Sequence, residues 1–396
     1  MPHNTRSVRI GIHGRNAPQY RESDYRMIRE AGLEALKGMS QTSVDVYHRI
    51  KTENPEIEIT IRLDWPERVA KGMTPPSPEE FVDKFVPIMD QLHEHEVDQR
   101  REVLCERFEV LNEPNHGGDS CWGPAEEAAR EFNTWFLDVY SGLKEECPWA
   151  QLGFPGLAVA GWGDGSPHNE QKWLELCSEA LERADWLGVH CYWQTFDGAP
   201  RHLEADWGLA FEKYHEKFPN KTIDITECGN SNGQGGHDLP PDVMTREILE
   251  YYDQLFEHSY LNSVNPFIMS SDDDKWNREL FVWVRKGNGS FLPVVGEVGR
   301  MHRPILTPGR AEAEMLGRDV LLAEAEAHQV IQFDLNAALQ RRIFSDGFVP
   351  NSPEFDVPVN GIQYRAQRAE HLETGQVRVY YVIIPDFDNV RFIERP

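Results

Sequence analysis

The chain has 396 residues, 40% hydrophobic and 27% charged, a globular composition long enough for one large domain and an appendage. Its 66 acidic side chains against 40 basic ones leave a formal charge of −26, a field that repels phosphate backbones and anionic lipid, so neither nucleic acid nor a membrane surface is the expected partner. No apolar stretch approaches the ~20 residues of a membrane helix, and six cysteines without a CxxC pair point to reduced thiols and away from a zinc ribbon.

From the amino terminus onward, short β-like runs alternate with longer amphipathic patterns, the signature of βα units around a parallel sheet. "MPHNTRSVRIGIHG" lacks an apolar leader, which makes the cytoplasm the default compartment. Its end, "VRIGIHG", reads as the first strand, and "SDYRMIREAG" as the first helix with Ser23 as cap and Gly32 as stop. "EALKGM" is a weak second strand before the helix "TSVDVYHRIKTEN", capped by Thr42 or Ser43. "IEITIRLDW" is the third strand, and "SPEEFVDKFVPIMDQLHEHE" a helix with Ser77 as cap and Pro78 in its first position.

"RFEVLNEP" is the fourth strand, followed by the helix "PAEEAAREFNTWFLDVYSGLKEEC". "QLGFPGLA" with "NEQKWLELCSEALERA", "DWLGVHCYW" with "WGLAFEKYHEKF", and "KTIDITECGN" with "DVMTREILEYYDQLFEHSY" continue the rhythm. "VNPFIMSS" completes eight strands, and "PVVGEVGRM" adds a last short helix. Eight βα units over roughly 300 residues predict an α/β fold, a (β/α)8 or TIM barrel spanning residues 1–304. A doubly wound open sheet is the rival, but the Gly-rich phosphate turn it would need after its first strand is absent.

Past "HRPILTPGR" the alternation breaks, and residues 305–396 read as a small C-terminal α+β appendage. "AEAEMLGRDVLLAEAEAH" and "NAALQRRIFSDG" are its helices, "GIQYRAQRAE" and "QVRVYYVII" its strands.

In a barrel the carboxyl ends of the strands converge on one mouth. The polar residues closing each strand are therefore the candidate site. They are His13 after the first, Arg62 and Asp64 with Trp65 after the third, Asn112 and Glu113 after the fourth, His190 and Tyr192 after the sixth, Glu227 after the seventh, and Trp276 in the eighth loop. Asn115 and His116 follow the fourth strand more loosely. Two carboxylates facing each other across a mouth are what glycosidic cleavage requires, one protonating the leaving oxygen and the other attacking the anomeric carbon. A sugar also presents C–H faces to flat aromatics, and Trp65, Trp122, Trp162, Trp193 and Trp276 all fall in expected βα loops.

At these residues the chain resembles the clan A glycoside hydrolases, the 4/7 superfamily of retaining enzymes on (β/α)8 barrels. The matching pieces are Asn-Glu-Pro in "VLNEPN", His-x-Tyr in "GVHCYW", the glutamate of "DITECG" and a tryptophan past strand eight, in that order over residues 6–304. The resemblance implies Glu113 as general acid/base, Glu227 as nucleophile, Asn112 as donor to the sugar 2-hydroxyl, Tyr192 as hydrogen-bond partner of the nucleophile, and Trp276 as platform under the ring. His190 would shape the wall. No cofactor and no metal is expected, and the partner is a carbohydrate.

Two other classes bear on the same residues. A metal-dependent hydrolase would carry His-x-His on its first strand, where "GIHGRN" has one histidine, and the aspartates of "SSDDDKW" read more simply as a solvated loop than as a calcium site. A non-catalytic glycan-binding barrel would need neither glutamate. The tail stretches "DGFVPNSPEF" and "YRAQRAEHL" resemble tails of bacterial and phage cell-wall hydrolases, which leaves a cell-wall glycan among the candidate substrates.

Overall fold

The computed structural model describes residues 5–65, 74–93, 95–97, 100–116, 122–159, 167–231, 239–278, 281–306, 342–343, 348–350, 355–359, 362–371, 377–383 and 386–394. The chain divides into two compact units, Met1–Leu306 and Thr307–Pro396.

The first unit is a closed barrel of eight parallel strands. Its first half runs β1 (Arg9–His13), α1 (Glu22–Glu30), β2 (Ala35–Met39), α2 (Val44–Glu53), β3 (Glu58–Leu63), α3 (Pro78–His93), β4 (Arg107–Val110) and α4 (Glu126–Glu146). The second half runs β5 (Gln151–Phe154), α5 (Glu170–Leu176), α6 (Ser178–Arg183), β6 (Trp186–Trp193), α7 (Phe211–Lys217), β7 (Thr222–Asn230), α8 (Pro241–Leu255) and β8 (Leu261–Pro266). Two further helices follow, α9 (Asp274–Arg278) and α10 (Pro293–Arg300). β8 pairs with β1 through Ser263 and Arg9, which closes the cylinder. The strands are buried almost throughout, because helices cover their outer faces and side chains fill the interior.

Several boundaries differ from those expected. Ser23 is not the α1 cap: the helix begins at Glu22, and Asp24 accepts the backbone N–H of Arg21 (2.8 Å). At α3 Ser77 does cap, its hydroxyl accepting the Glu80 N–H (3.2 Å) while the Glu80 carboxylate accepts the Ser77 N–H (2.8 Å). α3 stops at His93 because its apolar stripe of Phe81, Phe85, Met89 and Leu92 ends there. His95–Val97 then pairs antiparallel with Arg100–Glu102. The helix expected after β5 is two, divided at Cys177. α7 starts only at Phe211, and β8 starts at Leu261, three residues before "VNPFIMSS".

The barrel interior is polar at its lower end. Arg107 donates to Asp224 (2.6 Å), Asn262 donates to Asp224 (2.8 Å) and Glu58 (2.6 Å), and the Ser263 hydroxyl donates to Asp224 (3.1 Å). Paired and hydrogen-bonded, these groups can be buried without an orphaned charge.

In the second unit the described residues form a five-stranded sheet. Phe355–Val359, Ile362–Glu370, Val377–Ile383 and Asp386–Glu394 pair antiparallel in succession. Apart from Arg342 and Ile343, the two helices expected there lie outside the described residues, as do Cys121, Trp162 and most of "DGFVPNSPEF". The five described cysteines are free and buried, and no described helix is long and apolar enough to cross a membrane.

Candidate active site

Glu227 lies near the carboxyl end of β7, just past a register shift against β6, and is 5% exposed. Residues from four other strands meet its carboxylate. Oε1 accepts from Arg62 Nη1 of β3 (2.9 Å) and Lys37 Nζ of β2 (3.3 Å), while His13 Nε2 of β1 stands at 3.5 Å and His190 Nε2 of β6 at 3.9 Å. Oε2 accepts from the Tyr192 hydroxyl (2.8 Å). Burial alone would push this carboxyl upward, but Lys37, His190, His13 and Arg62 together hold it well below the usual carboxylate range. The same burial, with Glu227 and Glu113 nearby, pushes the Tyr192 phenol well above its ordinary value, so it stays a hydrogen-bond donor.

His13 is neutral, since burial lowers its pKa to about 3 against the attraction of Glu227. Its Nδ1 is 2.8 Å from the Gly14 carbonyl. A carbonyl only accepts, so the proton sits on Nδ1 and the buried Nε2, 3.5 Å from Glu227 Oε1, is a bare acceptor.

Glu113 follows β4, with 18% of its side chain exposed. His190 Nδ1 lies 2.9 Å from its Oε1, and its backbone N–H donates to the Gly156 carbonyl (3.0 Å). Gly156 is required by that arrangement: a Cβ there would stand 2.2 Å from His190 Cδ2. One oxygen each of Glu113 and Glu227 and one nitrogen of His190 all lie within 4.8 Å of one another. A metal ion would accept that spacing, but at Glu227 it would meet the Lys37 ammonium and the Arg62 guanidinium.

Arg62 also fixes Asn112. Its Nη1 donates to Asn112 Oδ1 (2.7 Å), which turns the amide NH2 away from the guanidinium. Asp64 stands 3.9 Å from Arg62 Nε, 27% exposed at the mouth. Trp276 packs edge-on against Phe267 (5.2 Å between centroids) and Phe281 (5.8 Å), in a cluster that also includes Tyr192.

Other strand-end residues are occupied elsewhere. Asn115 is fully buried, its amide donating to the carbonyls of Ala158 (2.9 Å) and His168 (3.1 Å) and accepting the Ala158 N–H (2.7 Å), so it braces two loops. Trp65 stacks on Phe81 of α3 under the Lys84 ammonium. Trp193 belongs to β6, is completely buried and donates its indole N–H to Glu247 (2.8 Å), and Trp122 packs on Phe132 and Trp135. His116 stacks on His168. In "SSDDDKW", Asp272 pairs with Arg15 and Arg21, and Asp274 with Lys286.

Three participants escape a reading of strand ends. Lys37 and Glu109 lie inside β2 and β4, both completely buried, with Lys37 Nζ 2.7 Å from Glu109 Oε2. Phe267 follows β8 directly and meets the His13 ring edge-on at 5.1 Å. Their signal was available as a lysine inside the apolar run of β2, a glutamate between Phe108 and Val110 of β4, and an aromatic beside the eighth strand's end.

Eight parallel strands closed into a cylinder, with Glu113 and Glu227 near the carboxyl ends of β4 and β7, define a (β/α)8 barrel protein. Residues 79–289 match the family described as the glycosyl hydrolase catalytic core, more than half of the chain. The chain belongs to that family and is a (β/α)8 glycoside hydrolase, acting on glycosidic bonds. A comparison with curated proteins finds no match.

Among solved structures, a variant of BuGH86 in complex with neoagarooctaose aligns with a TM-score of 0.50 at 9% identity, covering 98% of this chain and 74% of that one. A psychrophilic glycoside hydrolase family 10 endo-β-1,4-xylanase aligns at 0.48 and 12%, covering 75% and 97%. A broad-specificity endoglucanase from Ruminococcus flavefaciens aligns at 0.44 and 14%, covering 72% and 89%. At these identities the likeness is one of fold.

Proposed function

We propose that the chain cleaves β-glycosidic bonds of an oligo- or polysaccharide with retention of configuration, Glu227 serving as nucleophile and Glu113 as acid/base. The observation that carries this reading is the short gap between the two glutamates. One oxygen of each lies within 4.8 Å of one of the other, which favours the ~5–5.5 Å carboxyl separation of double displacement over the ~6.5–9.5 Å that admits a water in inversion. The electrostatics agree, because the buried, cation-flanked Glu227 is the group held ionised for attack.

Glu113 would give its proton to the leaving oxygen as Glu227 attacks the anomeric carbon, then take one from the water that frees the sugar. His190 orients Glu113. Asn112, its oxygen held by Arg62, turns its NH2 toward the sugar 2-hydroxyl, and the bare Nε2 of His13 accepts from another hydroxyl. Trp276 with Phe267 offers the apolar face for the ring, and Asp64 stands at the rim for an outer hydroxyl.

The test is a panel of aryl β-glycosides and β-linked polysaccharides, wild type beside Glu227→Ala, with the first-formed anomer read by NMR. Turnover with a β product that Glu227→Ala abolishes is expected. An inverted first product would remove Glu227 from the nucleophile's role, and glycan binding without turnover by the folded wild type would favour the glycan-binding barrel.

A further inference from the structure

Lys37 is a lysine with no route to solvent, and both of its ionic partners are carboxylates. Its ammonium lies 2.7 Å from Glu109 Oε2 and 3.3 Å from Glu227 Oε1, and all three side chains are at most 6% exposed. A buried lysine between two acids is costly unless both stay ionised around it. We propose that Lys37 and Glu109 are positioning residues for the nucleophile: Lys37 fixes Glu227 Oε1 and keeps it ionised, and Glu109 sets how much of that charge Glu227 receives. The inference rests on the assignment of Glu227 as nucleophile.

The groups facing Glu227 divide the work unequally. His13 from β1 is neutral, and the Tyr192 hydroxyl from β6 donates without charge. His190, also from β6, holds Glu113 through Nδ1 and leaves Nε2 3.9 Å from Glu227 Oε1, beyond hydrogen-bond reach. Cys228, the neighbour on β7, is held as a thiol by burial. Arg62 from β3 is shared among Glu227, Asn112 and Asp64. Lys37 from β2 therefore remains as the cation whose described partners are both buried acids, and it is the foremost charge drawing Glu227 downward.

Glu109 links this pair to the other glutamate. Its Oε1 accepts the Gly156 N–H (3.2 Å), and the Gly156 carbonyl accepts the Glu113 N–H (3.0 Å). Gly188 on β6 leaves room for it, since a Cβ there would stand 2.8 Å from Glu109 Oε1. One buried line thus runs from the nucleophile's oxygen through Lys37 and Glu109 to the backbone of the acid.

The test follows the Glu227 carboxyl by carbon-13 NMR of the full chain labelled at its glutamate side-chain carboxyls, the resonance being the one lost in Glu227→Gln. In the wild type it should show only the onset of protonation at the acid edge of the folded range, the reference from which movement in either direction is read. Lys37→Met should raise its midpoint by roughly one pH unit or more, as loss of an opposite charge at this distance does. Glu109→Gln should move it the other way. The double variant Lys37→Met with Glu109→Gln leaves no orphaned buried ion, so it covers the case in which Lys37→Met does not fold, and it should show a smaller rise. On an aryl glycoside that the wild type cleaves, the acidic limb should follow the same directions, with kcat falling more than KM rises. A Glu227 titration unmoved in the folded Lys37 variants, or moved the same way by Glu109→Gln, overturns the proposal. Full turnover by Glu227→Gln would instead overturn the nucleophile assignment, through a separate readout.

Discussion

Glu113 is held in an unusual backbone state, with φ at +41 and Leu111 two residues earlier at +72. Side chains with a Cβ seldom adopt such angles, which cost on the order of 1 kcal/mol each and persist where surrounding bonds determine them. Here the Leu111 N–H donates to Leu63 (3.2 Å) and the Glu113 N–H to Gly156, so the chain doubles back where the carboxyl must meet His190. If Glu113 is the acid/base, Glu113→Ala should slow substrates with poor leaving groups far more than activated aryl glycosides. Azide should restore turnover of the latter by attacking the glycosyl-enzyme; equal loss on all substrates without rescue would withdraw the role. His13 gives a second prediction at this scale. Its folded pKa of about 3 lies below the ordinary 6.5, so between those values the unfolded chain binds the extra proton and stability falls as pH falls. Glu227, also depressed, adds its loss only around and below its unfolded value near 4.5, and the comparison with His13→Gln separates His13 from His168, His215 and His258, which burial also lowers. From pH 6.5 to 4.5 the wild type should lose about 2–3 kcal/mol that His13→Gln does not, measured by urea unfolding at each pH. Polar residues at strand ends were legible in the sequence because one geometric rule, convergence at the mouth, selects them. Lys37 and Glu109 were not, because they lie below the mouth, inside strands where a charge reads as a flaw in the pattern.

The elements were legible wherever burial follows period. α4, with Ala128, Phe132, Trp135 and Val139 on its inner face, is the plainest case. Legibility failed where polar groups point inward: "LNS" opens β8 but carries Asn262 and Ser263 to Asp224, so an apolar criterion starts the strand too late. It failed also at Cys177, where nothing in the apolar spacing marks the break between α5 and α6. The loop after β5 carries its own prediction. Gly156 touches His190 and holds Glu113 by its carbonyl, so a methyl group there must displace the ring that orients the acid. Gly156→Ala should destabilise by roughly 1–3 kcal/mol, the usual cost of overpacking. It should also reduce kcat on substrates that need a proton more than on activated ones. A thermal melt and the two rates check this, and an unchanged ratio of rates would separate Gly156 from the placement of Glu113.

At the scale of the whole molecule, the barrel unit closes on itself through its own last residues. Ile305–Leu306 pairs in parallel with Thr5–Arg6, and Arg6 Nε donates to the Pro304 carbonyl (3.1 Å). The Arg303 guanidinium donates to the carbonyls of Ala31 (2.6 Å) and Val298 (2.9 Å), tying the end of α1 to α10. Both glutamates and the described residues that meet them precede Leu306. A chain ending at Leu306 should therefore fold and keep its turnover of small aryl glycosides, whereas one ending at residue 302 loses the arginine and the strand pair. Several charge-assisted hydrogen bonds go with them, so the shorter chain should melt lower by ~5–10 °C. Circular dichroism melts of both truncations, with rates on one aryl glycoside, make the comparison. Loss of activity in a folded chain ending at Leu306 would mean that the C-terminal unit contributes to the site, and equal melting of the two would remove Arg303 and the terminal strand pair from the account of how the barrel is held shut.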